Sequence, residues 1–169
     1  MNEKNLVEQI RIACSNGAEV LSLSVLCESI GSIGLRDPNV LPVESSIADC
    51  IDVLQKNKVG SVLLVDENDC IKGIFTERDL VLKVVGKVES FDLPIESVMT
   101  KDPVCERPET TVAYALNLMS HGGFRHLPIV DHDRMPIGIL SVKDVVDYLV
   151  GKMMEGLLDI PSKSGLSSK

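Results

Sequence analysis

The chain has 169 residues, enough for one domain or two tightly packed halves. Hydrophobic residues make up 44% of it, but aromatics are only 3% and Trp is absent, so the core must be built from Val, Ile, Leu and Ala, and broad aromatic stacking of exposed bases is not expected. A net charge of −8 argues against general nucleic-acid binding, which draws its affinity from Lys and Arg on phosphates.

Residues 1–32 read as an N-terminal helical extension. Leu6, Ile10 and Ala13 have helical spacing, Asn16-Gly17 is a stop, and Leu21, Val25 and Leu26 give a second short apolar face. Such a segment can cap the module or dock a partner, and capping is expected. A first unit spans 33–90. Ser45-Ser46 followed by Asp49 predicts a capped helix with Ile47, Ala48, Ile51 and Leu54 on one face. Residues 59–65 form a β-branched apolar run that reads as a buried strand. A turn at 66–69, a return strand at 71–75 and a helix from Thr76 to near Gly86 follow. A second unit spans 91–152 in the same order: a cap at Thr110-Thr111, a helix with Val112, Ala113, Leu116 and Met119, a break at Gly122-Gly123, strands at 126–130 and 137–140, and a helix with Val145, Val146 and Leu149. The tail, 153–169, turns polar from Pro161 and is expected to be disordered.

The two units are copies. Gly73-Ile74-Phe75-Thr76-Glu77-Arg78-Asp79 returns 65 residues later as Gly138-Ile139-Leu140-Ser141-Val142-Lys143-Asp144, and the register holds from Asp37-Pro38 on Asp102-Pro103 to Gly86 on Gly151. Each copy reads β-α-β-β-α. A unit of about 60 residues buries too little surface to stand alone. The expected fold is therefore α+β, with the two tandem units packed sheet to sheet about a pseudo-twofold axis.

The chemistry concentrates at Thr76-x-x-Asp79 and Ser141-x-x-Asp144. As local structure each is a helix N-cap with an acid in the first turn. Both follow a glycine-led apolar strand, and a carboxylate at a strand-to-helix junction can also accept hydrogen bonds from a ribose diol. The helix end presents free N–H groups to an anion. No catalytic constellation is visible: the chain lacks G-x-S-x-G, a P-loop, H-E-x-x-H and a supported Cys-His pair. His121, His126 and His132 match no zinc spacing, so no metal is expected. The five cysteines (Cys14, Cys27, Cys50, Cys70, Cys105) contain no C-x-x-C and read as free thiols. With no run approaching about 18 apolar residues and no secretion signal, a cytoplasmic protein without a membrane span is expected.

With these landmarks, with Ser97-Val98-Met99-Thr100-x-Asp102-Pro103 and with Phe124-Arg125-His126-Leu127-Pro128-Ile129-Val130-Asp131, the chain resembles a tandem pair of cystathionine β-synthase (CBS) domains, a Bateman module, over residues 33–151. The resemblance implies a non-catalytic sensor. It would bind AMP, ADP, ATP or S-adenosylmethionine as a regulatory ligand, require no cofactor, and report occupancy to an unidentified regulated protein. The alternative is a structural or oligomerisation module without a ligand. The resemblance further implies a homodimer through the unit-terminal helices, with Leu80, Val84, Val145 and Leu149 as apolar stripes that would serve the internal core equally well. It assigns Thr76, Asp79, Thr100, Val104, Arg125 and His126 to a first cleft, and Ser141, Asp144, Leu35, Asn39, Gly60 and Ser61 to a second. Arg125 and His126 would give the first cleft two charged donors, so the first is expected to bind phosphorylated adenosine and the second weakly or not at all.

Overall fold

The computed structural model describes residues 24–158. The helix around Leu6, Ile10 and Ala13, its stop at Asn16-Gly17 and the polar tail from Pro161 lie outside the described residues. The chain enters through α1 (Ser24–Cys27) and a 3-10 turn, Ile30–Ile33. Unit one follows with β1 (Val40–Pro42), α2 (Ile47–Asn57), β2 (Ser61–Val65), β3 (Ile71–Thr76) and α3 (Glu77–Asp79), which runs into a π turn at Leu80–Val84. Unit two has a 3-10 turn (Ile95–Ser97), β4 (Thr100–Lys101), α4 (Val112–Gly122), β5 (His126–Val130), β6 (Pro136–Ser141) and α5 (Val142–Leu158).

Local chemistry starts and stops these elements. Ser46 Oγ accepts from the Asp49 N–H at 3.1 Å while Asp49 Oδ2 accepts from the Ser46 N–H at 2.9 Å, a capping box that opens α2. The Thr111 side chain accepts from the Tyr114 N–H and opens α4, which stops at a left-handed Gly123. All five residues of β2 are buried, which is why that strand reads as an unbroken apolar run.

Three apolar clusters hold the molecule together. One centres on unit one, around Ile47, Leu54, Val62, Leu64, Phe75 and Val84, and takes in Ile95, Val98 and Met99 from the leading arm of unit two. A second lies inside unit two, around Val112, Met119, Leu127, Ile129, Leu140 and Val145, and takes in Ile30 from the entering segment. The third joins the strands of the two units: Leu63, Ile71 and Ile74 pack against Val130, with Cys105 and Ile139 at its edge. The sheets are thus packed on each other. The entering segment belongs spatially to unit two. Ile30 N–H donates to the Thr110 carbonyl at 2.8 Å, and the Val112 N–H donates to the Glu28 carbonyl at 2.9 Å.

Each unit lends its leading arm to the other. β4 of unit two closes the unit-one sheet, in the order β1-β2-β3-β4, through Gly73↔Lys101 and Ile74↔Thr100. Reciprocally, Arg36 bridges Ile139 on β6. This exchange explains the glycine that leads both repeats. A Cβ on Gly73 would meet Met99 Sδ at 2.3 Å, and one on Gly138 would meet Leu35 Cβ at 2.9 Å. A side chain at Gly138 would press on Leu35 at its Cβ, and one at Gly73 would displace the Met99 side chain just before β4.

The units differ at their closing helices. The helix expected from Thr76 to Gly86 makes one α turn and then widens: the Val85 N–H reaches the Leu80 carbonyl, five residues back. Leu80 and Val84 both face the first core, where Val84 is fully buried. In unit two α5 runs unbroken past Gly151 to Leu158, beyond the expected boundary at 152.

Candidate functional site

At the first strand-to-helix junction, Thr76 closes β3 and caps α3. Asp79 Oδ2 accepts from the Thr76 N–H at 3.0 Å and from Thr76 Oγ1 at 2.6 Å, and Thr76 Oγ1 accepts from the Asp79 N–H at 3.2 Å. The other oxygen, Oδ1, accepts from Thr100 Oγ1 at 3.3 Å and pairs with Lys83 Nζ at 2.7 Å. Thr100 comes from unit two, on the exchanged arm, so one carboxylate already bridges both units. A carboxylate has about four lone-pair sites, and these four donors fill them. Any further donor to this carboxylate must displace one of them, and Lys83, four residues along its own helical turn, can swing out without moving the arm.

A cleft of about 350 Å³ opens above this carboxylate. Thr76, Asp79, Thr100, Val104, Arg125 and His126 all line it, so residues from both units share one wall. Sequence reasoning left several of its walls unassigned: Ile74, Pro103 and Phe124 make an apolar side, and Arg78 and Glu77 a charged rim. Arg78 donates to the Gly123 carbonyl, tying α3 to the turn before Phe124. The exposed-charge pattern of α3 hides that role.

His126 lies over Gly60. A Cβ there would fall 2.7 Å from Nε2, with Glu77 Oε2 at 3.5 Å. Burial, then the neighbouring Arg125 charge, lower the His126 pKa from its ordinary 6.5, against the opposing pull of Glu77. Both effects favour the neutral imidazole. The expected pair of charged donors is corrected accordingly: Arg125 carries charge into the cleft, and His126 offers a ring biased towards its neutral form.

The second junction repeats the cap. Asp144 Oδ2 accepts from the Ser141 N–H at 2.8 Å and from Ser141 Oγ at 2.6 Å. Its surroundings differ from those expected. Arg36 Nη2 donates to Asp144 Oδ2 at 2.7 Å and to Ser141 Oγ at 3.1 Å. Burial alone would raise the Asp144 pKa, but hydrogen bonds from Ser141 and Arg36 outweigh it and hold the carboxyl below its ordinary value. Of the other residues assigned to this cleft, Leu35 packs on Gly138 and the second core. Asn39 Oδ1 accepts from Asn57 Nδ2 at 2.6 Å. Gly60 lines the first cleft, and Ser61 is buried in the ladder opposite Thr76. The reason lies in the arm. Ile74 pairs with Thr100, but its repeat-mate Ile139 pairs with Arg36, one residue beyond the Leu35 that a spacing of 65 selects. That slip turns Leu35 into the core and puts a guanidinium where Thr100 stands in the first cleft. Among the described residues no group of three His, Cys, Asp or Glu is placed to hold a metal ion, and no helix is long and apolar enough to cross a membrane.

With this geometry in place, comparison with known proteins is decisive for the family. The model of the CBS domain matches residues 30–86 and again residues 95–151. The chain belongs to the CBS-domain family. A 17.7 kDa uncharacterized protein of Acidianus ambivalens is 34% identical over 125 residues, covering 74% of this chain and 75% of the relative. Among solved structures, a CBS-domain protein of Agrobacterium tumefaciens superposes with a TM-score of 0.66 at 30% identity, over 75% of this chain and 97% of that one. The CBS protein CBSX2, solved in complex with AMP, superposes with a TM-score of 0.65 at 25% identity, over 73% and 97%. The two repeats are therefore CBS units, and the first cleft lies between them.

Proposed function

We propose that this CBS pair is a regulatory module, not an enzyme, that binds an adenosine-type ligand (AMP, ADP, ATP or S-adenosylmethionine) in the first cleft and transmits occupancy to a partner protein. One observation carries the reading: Thr76 and Asp79 of unit one and Arg125 and His126 of unit two line a single cleft whose size suits a small ligand. The ribose diol would replace Lys83 and Thr100 on Asp79 Oδ1. The base would lie against Ile74, Pro103, Val104 and Phe124, and a phosphate would meet Arg125 and Arg78. The complex of CBSX2 with AMP supports the ligand class. Because Asp79 and Thr100 come from different units, a ligand that takes over Oδ1 loosens the arm on which Thr100 rides. Its effect on a partner is limited to its differential affinity for the two arrangements, about 1–3 kcal/mol.

The module is further proposed to act as a homodimer in the cytoplasm. The stripe Leu80, Val84, Val145 and Leu149 is used internally, with Val84 and Val145 fully buried. The apolar side chains left outward on the closing helices are Val81, Leu82, Val85, Val146 and Val150, and these support a dimer face.

A thermal-shift and calorimetry panel of AMP, ADP, ATP and S-adenosylmethionine tests the ligand. A binder at a hundred times its Kd should stabilise the fold by about 2.7 kcal/mol. Asp79→Asn should weaken binding by about ten- to a hundredfold, since hydrogen bonds to charged groups are worth about 1.5–3 kcal/mol. No shift with any compound would leave a structural module instead.

A further inference from the structure

We infer that Arg36 closes the second cleft from within, so that each chain takes one adenosine ligand rather than two. This rests on the reading that the first cleft binds such a ligand. The two caps are equivalent by sequence, and both carboxylates are held by their own hydroxyl, Thr76 for Asp79 and Ser141 for Asp144. What differs is the group that the exchanged arm delivers. In the first cleft the arm places Thr100, a short hydroxyl, 3.3 Å from Asp79 Oδ1, and a cleft of about 350 Å³ remains open. At the matching ladder position the other arm places Arg36, whose guanidinium reaches Asp144 Oδ2 at 2.7 Å and Ser141 Oγ at 3.1 Å. The long side chain spans from one unit to the other and takes the two groups that a ribose diol would need.

The source of the cation also differs. Asp79 is paired by Lys83, four residues along its own helical turn, a cation that can swing out without moving the arm. The repeat-mate of Lys83 is Tyr148, whose hydroxyl is turned away to Glu28. Asp144 therefore takes its cation from across the cleft. A guanidinium donates from a planar fork and stays charged at any working pH, so neutral pH does not release it. Arg36 is 56% exposed, so salt screens the pair and the closure is an adjustable one.

Calorimetry with AMP on the full chain tests this through stoichiometry. Wild type should show one site. Arg36→Met, which keeps the stem and removes the guanidinium, should show two, the second at least about tenfold tighter than any second-site binding by wild type. Arg36→Met/Asp144→Asn should return the count to one. Thermal melts establish that each variant folds, and Arg36→Gln replaces Arg36→Met should the latter not. One site in both wild type and the Arg36 variant overturns the inference while leaving the first-cleft reading standing, as do two comparable sites in wild type. Absence of AMP binding in every variant overturns both.

Discussion

Asp79 and Asp144 show how one side chain serves two demands. As N3 residues they complete capping boxes, which is a local matter, and as carboxylates at strand ends they face the partner unit. His126 gives a pH-dependent test of the first cleft. Its folded pKa is lowered by burial and by Arg125. A base with a depressed folded pKa takes its proton more readily in the unfolded chain, so stability falls as pH drops from about 6.5 through the folded value, and is unaffected by this group above that window. Denaturation of wild type and His126→Asn between about pH 5 and 7.5 should show the wild type losing more stability on the acid side. Parallel curves would exclude His126 as a buried neutral ring. Gly60→Ala probes the same contact. The added methyl, 2.7 Å from Nε2, must displace the imidazole. The fold should survive, with AMP affinity reduced by about tenfold, or 1.4 kcal/mol. Unchanged affinity would show that the position of His126 is immaterial to the ligand.

At the scale of elements, the exchanged arms matter more than the helices. β4 has two residues and contributes little ladder energy of its own, yet it carries Thr100 to Asp79. Met99, the residue before it, lays its side chain over Gly73, which has no side chain of its own. Gly73→Val should cost about 1–3 kcal/mol by overpacking in urea denaturation, and should weaken nucleotide binding through the displaced arm. The reference is Ser46→Ala, which removes the cap of α2 remote from the cleft. It should cost about 1 kcal/mol and leave nucleotide affinity as it is. If the two variants affect binding alike, the arm is not what positions the site. The π turn at Leu80–Val84 belongs to this scale too. It is invisible to a helical period, because Leu80 and Val84, four residues apart, share a face in an α-helix as well.

For the whole molecule, the entering segment and the closing helices decide what remains exposed. Glu28 accepts from the Tyr148 hydroxyl, which is thereby pushed up to about 12, and so ties the entering segment to α5. The outward apolar residues Val146 and Val150 predict self-association. Light scattering on wild type should give twice the chain mass, and Val146→Lys/Val150→Lys should give the monomer. A monomeric wild type would remove the dimer from the proposal. The sequence by itself determined the duplication, the strand and helix order, the capping boxes at Ser46, Thr76 and Ser141, and the CBS family, because spacing, apolar period and cap chemistry act over a few residues and survive in any register. Only the tertiary structure decided that Arg36 rather than Leu35 faces Asp144, that Gly60 sits beneath His126, and that the surroundings of this histidine lower its pKa. Those outcomes depend on how one unit's arm seats on the other, where a slip of one residue exchanges a core side chain for a charged one and no local pattern records it.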